Sequence, residues 1–361
     1  MGVFEAIGAD AHEEVLFGTD PDSGLESIIA IHSTTLGPAL GGTRFFPYAD
    51  EADALRDVLR LSKAMSYKAA GAGLDLGGGK AVIIGDPARL KSERLLRAYG
   101  RLVESLGGRY VTAEDVGTST SDMETISRET RFVTGLAEEL GGSGDPSPAT
   151  ARGVLAAMRA VALRLWGSDD LSARTVAIQG VGKVGTALTE RLAKVGARVV
   201  ATDVSTTALD RVHREYGAEI VDPDAIFDVA CDFFAPCALG GALNGRTIPR
   251  LHCAAVVGSA NNQLADDEDG SRLAARDILY APDFIVNAGG IINIAEELAG
   301  YDWRRAAVAI DRIADTLTAV FAVADAEGLE PHPAAVRLAE DRMHRIGTLR
   351  GRRGSPTQKG T

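Results

Sequence analysis

RTVAIQGVGKVGTALTERLAKVGARVVATDVS, residues 174–205, decides the fold. Its opening, TVAIQ, is a short apolar run, the pattern of a strand buried on both faces. GVGKVG follows at once and sets Gly180, Gly182 and Gly185 in GxGxxG spacing; a helical pattern then leads to a second apolar strand that ends at Asp203. Strand, glycine turn, helix and a strand closed by an acidic residue are the parts of a dinucleotide-binding unit. Gly180 permits the tight turn, Gly182 lets the main chain approach a pyrophosphate, and Gly185 lets helix and strand pack closely. The helix start, with Val181, Lys183 and Val184 around it, offers unsatisfied N–H groups to an anion. Asp203 is suited to accept hydrogen bonds from both adenine-ribose hydroxyls and to repel a 2′-phosphate, so NAD is expected rather than NADP. The alternative, a glycine-rich turn with no ligand, does not account for Asp203 or for the strand-turn-helix context.

Outward from this unit, further strands are expected at CDFFAPC, CAAVVGSA and ILYAPDFI, and one long helical region from Ile291 to Glu327. Upstream, GGSGDPSPAT (141–150) is a cluster of loop formers and marks a domain boundary. Before it the chain alternates, with strands at EEVLFG, LESIIAIHST, KAVIIG and RYVTAED. Helices are expected at ADEADALRDVLRLSKAMSYKAA, where Leu55, Val58, Leu59, Ser62 and Met65 share one face, and at SERLLRAYGRLVESLGG. The expected architecture is α/β with two domains. Residues 1–146 form a substrate-binding and catalytic domain of mostly parallel sheet, and residues 147–329 a Rossmann-like domain, with the reaction in a cleft between them. A last helix over 330–346 is expected to return to the first domain, and the polar, basic 347–361 to be a disordered tail.

Composition narrows the function. A net charge of -12 over 361 residues disfavours a nucleic-acid surface, which needs clustered Lys and Arg, and points to small-molecule partners. No apolar run is long enough for a membrane helix and the start lacks the pattern of an export signal, so a cytoplasmic location is expected. Cys231, Cys237 and Cys253 lack CxxC spacing and read as core packing rather than disulfides or zinc ligands. No ligand cluster suggests a metal, and none is expected.

GAGLDLGGGK, residues 71–80, poses a separate question, because three consecutive glycines need a reason. A left-handed turn or a group held close to the main chain, such as a ligand, would supply one. Lys80 enters an apolar strand directly after them, and Lys68, read as following a helix, lies among glycine and alanine; partial burial of either lowers a lysine toward use as a base. Asp115 ends the strand RYVTAED, where ligand sites of parallel sheets lie, and can trade protons with an amine. The residues alone leave both lysines open to being solvated surface groups.

TLGPALGGTR (35–44), MSYKAAGAGLDLGGGKAVIIGDP (65–87), GRYVTAEDVGT (108–118), GDPSPATARGV (144–154), FAPCALGG (234–241), GSANNQL (258–264) and YAPDFIVNAGGIINIAEEL (280–298) together resemble the amino-acid dehydrogenases of the glutamate, leucine, phenylalanine and valine group. The resemblance runs from about residue 12 to 346 and is greatest to the leucine members, with the valine members close behind. It implies that Lys80 activates water against an imine, that Lys68 holds the substrate α-carboxylate, and that Asp115 shuttles a proton to and from the amino group. Thr150 is implied to face the nicotinamide carboxamide, Ala238 and Asn262 to lie near the cofactor, and Gly41, Met65 and Asn287 near the substrate. The implied reaction is NAD-dependent oxidative deamination of an L-amino acid to a 2-oxo acid and ammonia, by a homo-oligomer, octameric or dimeric.

Departures from the group's pattern bear on the substrate. Leu40 stands where the glutamate members carry a lysine, and Ile294 where they carry a serine, so a second substrate carboxylate would be buried without partners. The implied pocket of Leu40, Ala113, Thr134, Ile291 and Ile294 is apolar and suits a branched aliphatic chain. Ile291 and Ile294 are bulkier than the valines expected of leucine members, which tilts preference toward valine, though one methylene discriminates by only about 1–3 kcal/mol. Arg152 replaces an expected aromatic residue and reads as a solvated substitution. Two alternatives are a phenylalanine-preferring relative, against which AEDVGT lacks a PDVNT pattern, and a non-catalytic nucleotide-binding regulator.

Overall fold

The structure, a computed structural model, describes residues 3–266 and 268–351, with side chains to residue 347. They divide into two units: one holds the chain to Gly144, Glu297–Tyr301 and the chain from Ala339, the other Asp145–Glu296 and Asp302–Leu338.

The first unit is built on β1 (Glu14–Asp20), β2 (Leu25–Ser33), β3 (Ala39–Phe46), β4 (Gly77–Ile84) and β5 (Tyr110–Glu114), in the order β1-β2-β4-β3-β5. β1 and β4 both run antiparallel to β2, while β3 runs parallel to β4 and β5. The sheet is therefore mixed, not mostly parallel as expected. β3 escaped the sequence reading because Gly41 and Gly42 interrupt ALGGTRFF, and glycine is depleted in strands. One sheet face carries Ile28, Ala30 and Val82 and packs on Ala54, Leu55, Val58 and Leu59 of the helix Glu51–Gly71. That helix starts at Asp50, whose carboxylate accepts from Asp53 N at 2.7 Å. The opposite face carries Phe45, Ala81 and Tyr110 and packs on Leu95, Leu96 and Tyr99 of the helix Glu93–Ser105. Each fully buried Val, Leu, Ile or Phe among them contributes about 1.5–3 kcal/mol.

The three glycines lie in extended strand, not in a left-handed turn, because none of them has positive φ. A Cβ on Gly77 would stand 1.9 Å from Ser33 O, on Gly78 2.1 Å from Ser66 N, and on Gly79 2.7 Å from the Tyr110 ring. The close approach that they permit is to the protein's own chain, and not to a ligand.

Two distant segments complete this unit. Glu297 accepts hydrogen bonds from Gly135 N (3.0 Å), Ser143 N (2.9 Å) and Ser143 Oγ (2.5 Å). In the final helix, Pro331–Gly351, Ala339 is buried with Leu36 and Ala70, and Tyr67, Met343 and Ile346 pack around them. Arg342 ties the same helix to Leu74 O (2.6 Å), Gly73 O (3.0 Å) and Asp75 (2.8 Å). The helix continues past residue 346, so the first residues of the expected tail are helical; 352–361 lie outside the described residues.

The second unit holds β6 (Thr175–Gln179), β7 (Arg198–Thr202), β8 (Glu219–Ile220), β9 (Phe233–Pro236), β10 (Ala255–Val256) and β11 (Leu279–Tyr280), all parallel, in the order β11-β10-β9-β6-β7-β8. The helix Lys183–Lys194 joins β6 to β7. ILYAPDFI yields only a two-residue strand, since Pro282 stops it and Asp283–Val286 turns helical. The expected single helical region is three helices, Gly289–Ala295, Trp303–Asp311 and Ile313–Glu327. Gly300 at φ +79° breaks it, and Asp302 caps the next helix by accepting from Arg304 N at 2.8 Å. Among the described residues, no helix is long and apolar enough to cross a membrane.

Candidate functional site

Register decides what gathers in the first unit. Leu40 pairs with Gly78 and Val111, Gly42 with Ala113, Arg44 with Val82, and Lys80 with Ala30 of β2. Because side chains alternate along a strand, Leu40, Arg44, Lys80, Ala113 and Asp115 share the face beneath the helix Glu51–Gly71. Lys80 is 7 % exposed, and its Nζ donates to Asp115 Oδ2. A Cβ on Gly42 would lie 2.8 Å from the Asp115 Cβ, so the missing side chain leaves Asp115 the room it occupies. Asp115 is fixed by its turn: its N–H donates to Thr118 Oγ1 at 2.9 Å and its Oδ1 accepts from Val116 N at 2.6 Å.

Burial is the largest influence on Lys80 and brings its ammonium down to about 7. The Arg44 guanidinium is next and acts in the same direction, as do Lys68 and Arg60; Asp57 acts in the opposite one. Lys68 lies inside the last turn of the helix Glu51–Gly71 rather than after it, and both it and Met65 are half-buried. Leu40, Ala113 and Thr134 are all buried, and Thr134 N donates to Thr112 O of β5 at 2.9 Å. Tyr110 OH donates to the Gly41 carbonyl at 2.6 Å, and a Cβ on Gly41 would strike Gly79 O at 1.7 Å, so this position is packed tightly between strands.

Arg44, Asp57 and Tyr48 were not singled out in the sequence. Arg44 Nη1 donates to Asp57 Oδ2 at 2.8 Å, Tyr48 OH donates to the same oxygen at 2.7 Å, and Arg44 Nη2 stands 3.9 Å from Asp115 Oδ1. The period-two spacing of Leu40, Gly42 and Arg44 was the available signal, had GGTRFF been read as strand.

In the second unit the glycine motif forms the expected turn. Gly180 has φ +97°, which requires glycine, and a Cβ on Gly185 would meet Gly180 O at 2.0 Å. Gly182 differs, since its φ is −63° and a Cβ there would meet nothing within 4 Å. The helix that follows, from Lys183 through Val184 and Gly185, has no side-chain cap, which leaves its first N–H groups for an anion. Asp203 at the end of β7 accepts from Val181 N at 2.7 Å and from Ser205 N at 2.8 Å, and keeps lone pairs for further donors. Ala238 packs on Gly180, and Gly241 N donates to Asn262 O at 2.8 Å, so the loop after β9 meets both the glycine turn and the loop after β10. These residues fit a dinucleotide.

Asn287 Nδ2 donates to Ser259 O (3.2 Å) and Asn261 Oδ1 (2.9 Å), while its buried Oδ1 has no partner. A Cβ on Gly290 would stand 2.9 Å from Thr150 Oγ1, so VNAGG packs directly on the helix Ser147–Trp166 at Thr150. Ile291 is buried and Ile294 half-buried on the helix Gly289–Ala295. Arg152 is not simply solvated: it holds Asp311 through two bonds of 2.7 Å, linking two helices of this unit. Burial pushes the Cys231 and Cys253 thiols up to about 12, and both pack against the unit's apolar core.

Residues 12–132 match the family model described as Glu/Leu/Phe/Val dehydrogenase, dimerisation domain, and 141–212 and 203–351 match Glutamate/Leucine/Phenylalanine/Valine dehydrogenase. The chain is 49% identical over 360 residues to a leucine dehydrogenase of Geobacillus stearothermophilus, covering 100% of this chain and 97% of that one. It is 54% identical over 335 residues to a valine dehydrogenase of Streptomyces coelicolor, 92% of each. The crystal structure of L-tryptophan dehydrogenase from Nostoc punctiforme superposes with a TM-score of 0.86 at 43% identity, covering 96% of this chain and 99% of that one.

Proposed function

The chain belongs to the Glu/Leu/Phe/Val dehydrogenase family, and from that premise we propose that it carries out the oxidative deamination of branched-chain L-amino acids, and the reverse amination, with NAD. The observation that carries the chemistry is a lysine at 7 % exposure, lowered to about 7, with a carboxylate against its ammonium. The turn at Gly180–Gly185 and Asp203 would hold NAD, which would supply the acceptor for the hydride of the substrate α-carbon. Lys68, at the end of its helix, holds the α-carboxylate as a point charge. Lys80 in its neutral form takes a proton from the water that attacks the substrate iminium carbon, and Asp115 returns a proton to the departing amine. Lys80 is protonated below about 7 and free to act as a base above it, so the oxidative reaction is expected to rise with pH through that value.

Asp203 supports NAD over NADP, since a 2′-phosphate would meet its carboxylate. Buried Leu40 and Ala113 of the first unit support an aliphatic substrate side chain, with valine and leucine both turned over. The description of the amino-terminal family model as a dimerisation domain supports a homo-oligomer, and free Cys231, Cys237 and Cys253 support a reducing, cytoplasmic setting. NAD reduction followed by absorbance with L-valine, L-leucine, L-isoleucine, L-phenylalanine and L-glutamate, with NADP in parallel, tests the reading. Turnover of the aliphatic substrates with NAD supports it. Turnover of L-glutamate alone, or silence from a protein that still binds NAD, refutes it.

A further inference from the structure

The face that holds Lys80 and Asp115 also holds a cation that the proposed chemistry has not used. Arg44, two residues beyond the Gly42–Ala113 pair on β3, sends one arm of its guanidinium 2.8 Å to Asp57 Oδ2 and leaves the other 3.9 Å from Asp115 Oδ1. Its side chain is 23% exposed, that of Asp57 15% and that of Asp115 16%. Asp57 is itself held from three sides, by Arg44, by Tyr48 OH at 2.7 Å and by Arg60 Nη2 at 3.1 Å. Arg44 Nε is buried without a partner, which a site arranged for stability alone would avoid.

We propose that Arg44 is a positioning residue for the Lys80–Asp115 pair, held by Asp57 and Tyr48 so that a permanent positive charge stands beside the two groups while protons pass between them. The proposal rests on the reading of Lys80 and Asp115 as the proton-handling pair. Arginine suits the task because its guanidinium does not deprotonate in this range and its planar fork addresses two carboxylates at once. The charge acts on the two partners in opposite ways: it favours the Asp115 carboxylate and disfavours the Lys80 ammonium. The charged groups around Lys80 are Arg44 from β3, Asp57, Arg60 and Lys68 from the helix Glu51–Gly71, and Asp115 after β5. Of the cations among them, Arg44 acts most on Lys80, and its Nη2 stands 3.9 Å from Asp115 Oδ1.

The test compares wild type, Arg44→Gln and Arg44→Lys by two measurements: the pH profile of kcat/KM for L-valine oxidation, and the pH dependence of acylation at Lys80, read by mass spectrometry without turnover. In Arg44→Gln both midpoints are expected to move upward by about one pH unit. Cofactor KM should be unchanged and kcat largely recovered at high pH. Arg44→Lys, which keeps a cation but loses the fork, should move them by less than half as much. Arg44→Met serves where the glutamine variant does not fold. Midpoints that stay put in the uncharged variants while kcat falls at every pH, or a lysine variant shifted as far as the glutamine variant, would overturn the proposal. A wild-type protein with no amino-acid-dependent NAD reduction would instead overturn the reaction itself, and the acylation midpoints would still report on Arg44.

Discussion

Glycines do opposite work in the two units. At 77–79 they remove side chains so that a strand can press against Ser33 O, Ser66 N and the Tyr110 ring, which leaves the following Lys80 at 7 % exposure. In the turn after β6, Gly182 faces open space, with backbone angles that other residues adopt and a helix start that lacks a side-chain cap. The first run serves the protein's own packing, as do Gly180 and Gly185 of the second set, whereas Gly182 meets nothing within 4 Å. The neighbours of a missing Cβ thus separate glycines that the packing requires from one that it does not, and Gly182 is the one the proposed function assigns to a ligand.

Substitutions at these positions break or sharpen that contrast. Lys80→Ala should lower kcat by about 10²–10⁴-fold while NAD affinity, which the proposed function assigns to the other unit, stays within about twofold. Steady-state kinetics beside a cofactor titration checks both, and a parallel loss of NAD binding would show that the two regions are not separable. Gly77→Ala forces a Cβ onto a backbone carbonyl and should destabilise the first unit by about 3 kcal/mol, read by denaturant unfolding. Gly182→Ala has the reverse signature: unfolding within about 0.5 kcal/mol of wild type but NAD binding weakened about tenfold, or about 1.4 kcal/mol. A Gly182→Ala protein that unfolds early would place that glycine with the packing group. The smallest effect is expected at Arg152→Ala, which deletes the partly exposed pair with Asp311 and should lower stability by about 0.5–1 kcal/mol without changing cofactor preference.

The same contrast explains what the sequence disclosed. The turn at 180–185 was legible because its chemistry is local: strand, glycines and helix follow one another, and Asp203 ends the next strand. β3 was not, because its glycines answer to Gly79 O and Glu114 O on neighbouring strands, and those contacts are set by register rather than by adjacent residues. With β3 unread, Arg44 had no face and no neighbours, although GGTR was in plain view. The run of helix from Ile291 was read as continuous because its apolar residues keep a helical period on both sides of the break, whereas Gly300 and the cap at Asp302 are single-residue signals within it. The reading of 77–79 as a ligand's approach failed for a related reason: glycine reports that something is close and not what it is.

Glu297 gives the fold a timetable. Its carboxylate receives the N–H groups of Gly135 and Ser143, yet it lies 154 residues further along the chain than Ser143. At a synthesis rate of about 5–20 residues per second, the ribosome needs roughly 8–30 seconds after making Ser143 before this acceptor exists. Through that interval the first unit must wait with the 135–143 segment unanchored, its sheet and its helices up to Ser127 already synthesised but its final helix still to come, and the nascent chain is the form of this protein in which that segment stands most open to chaperones and proteases.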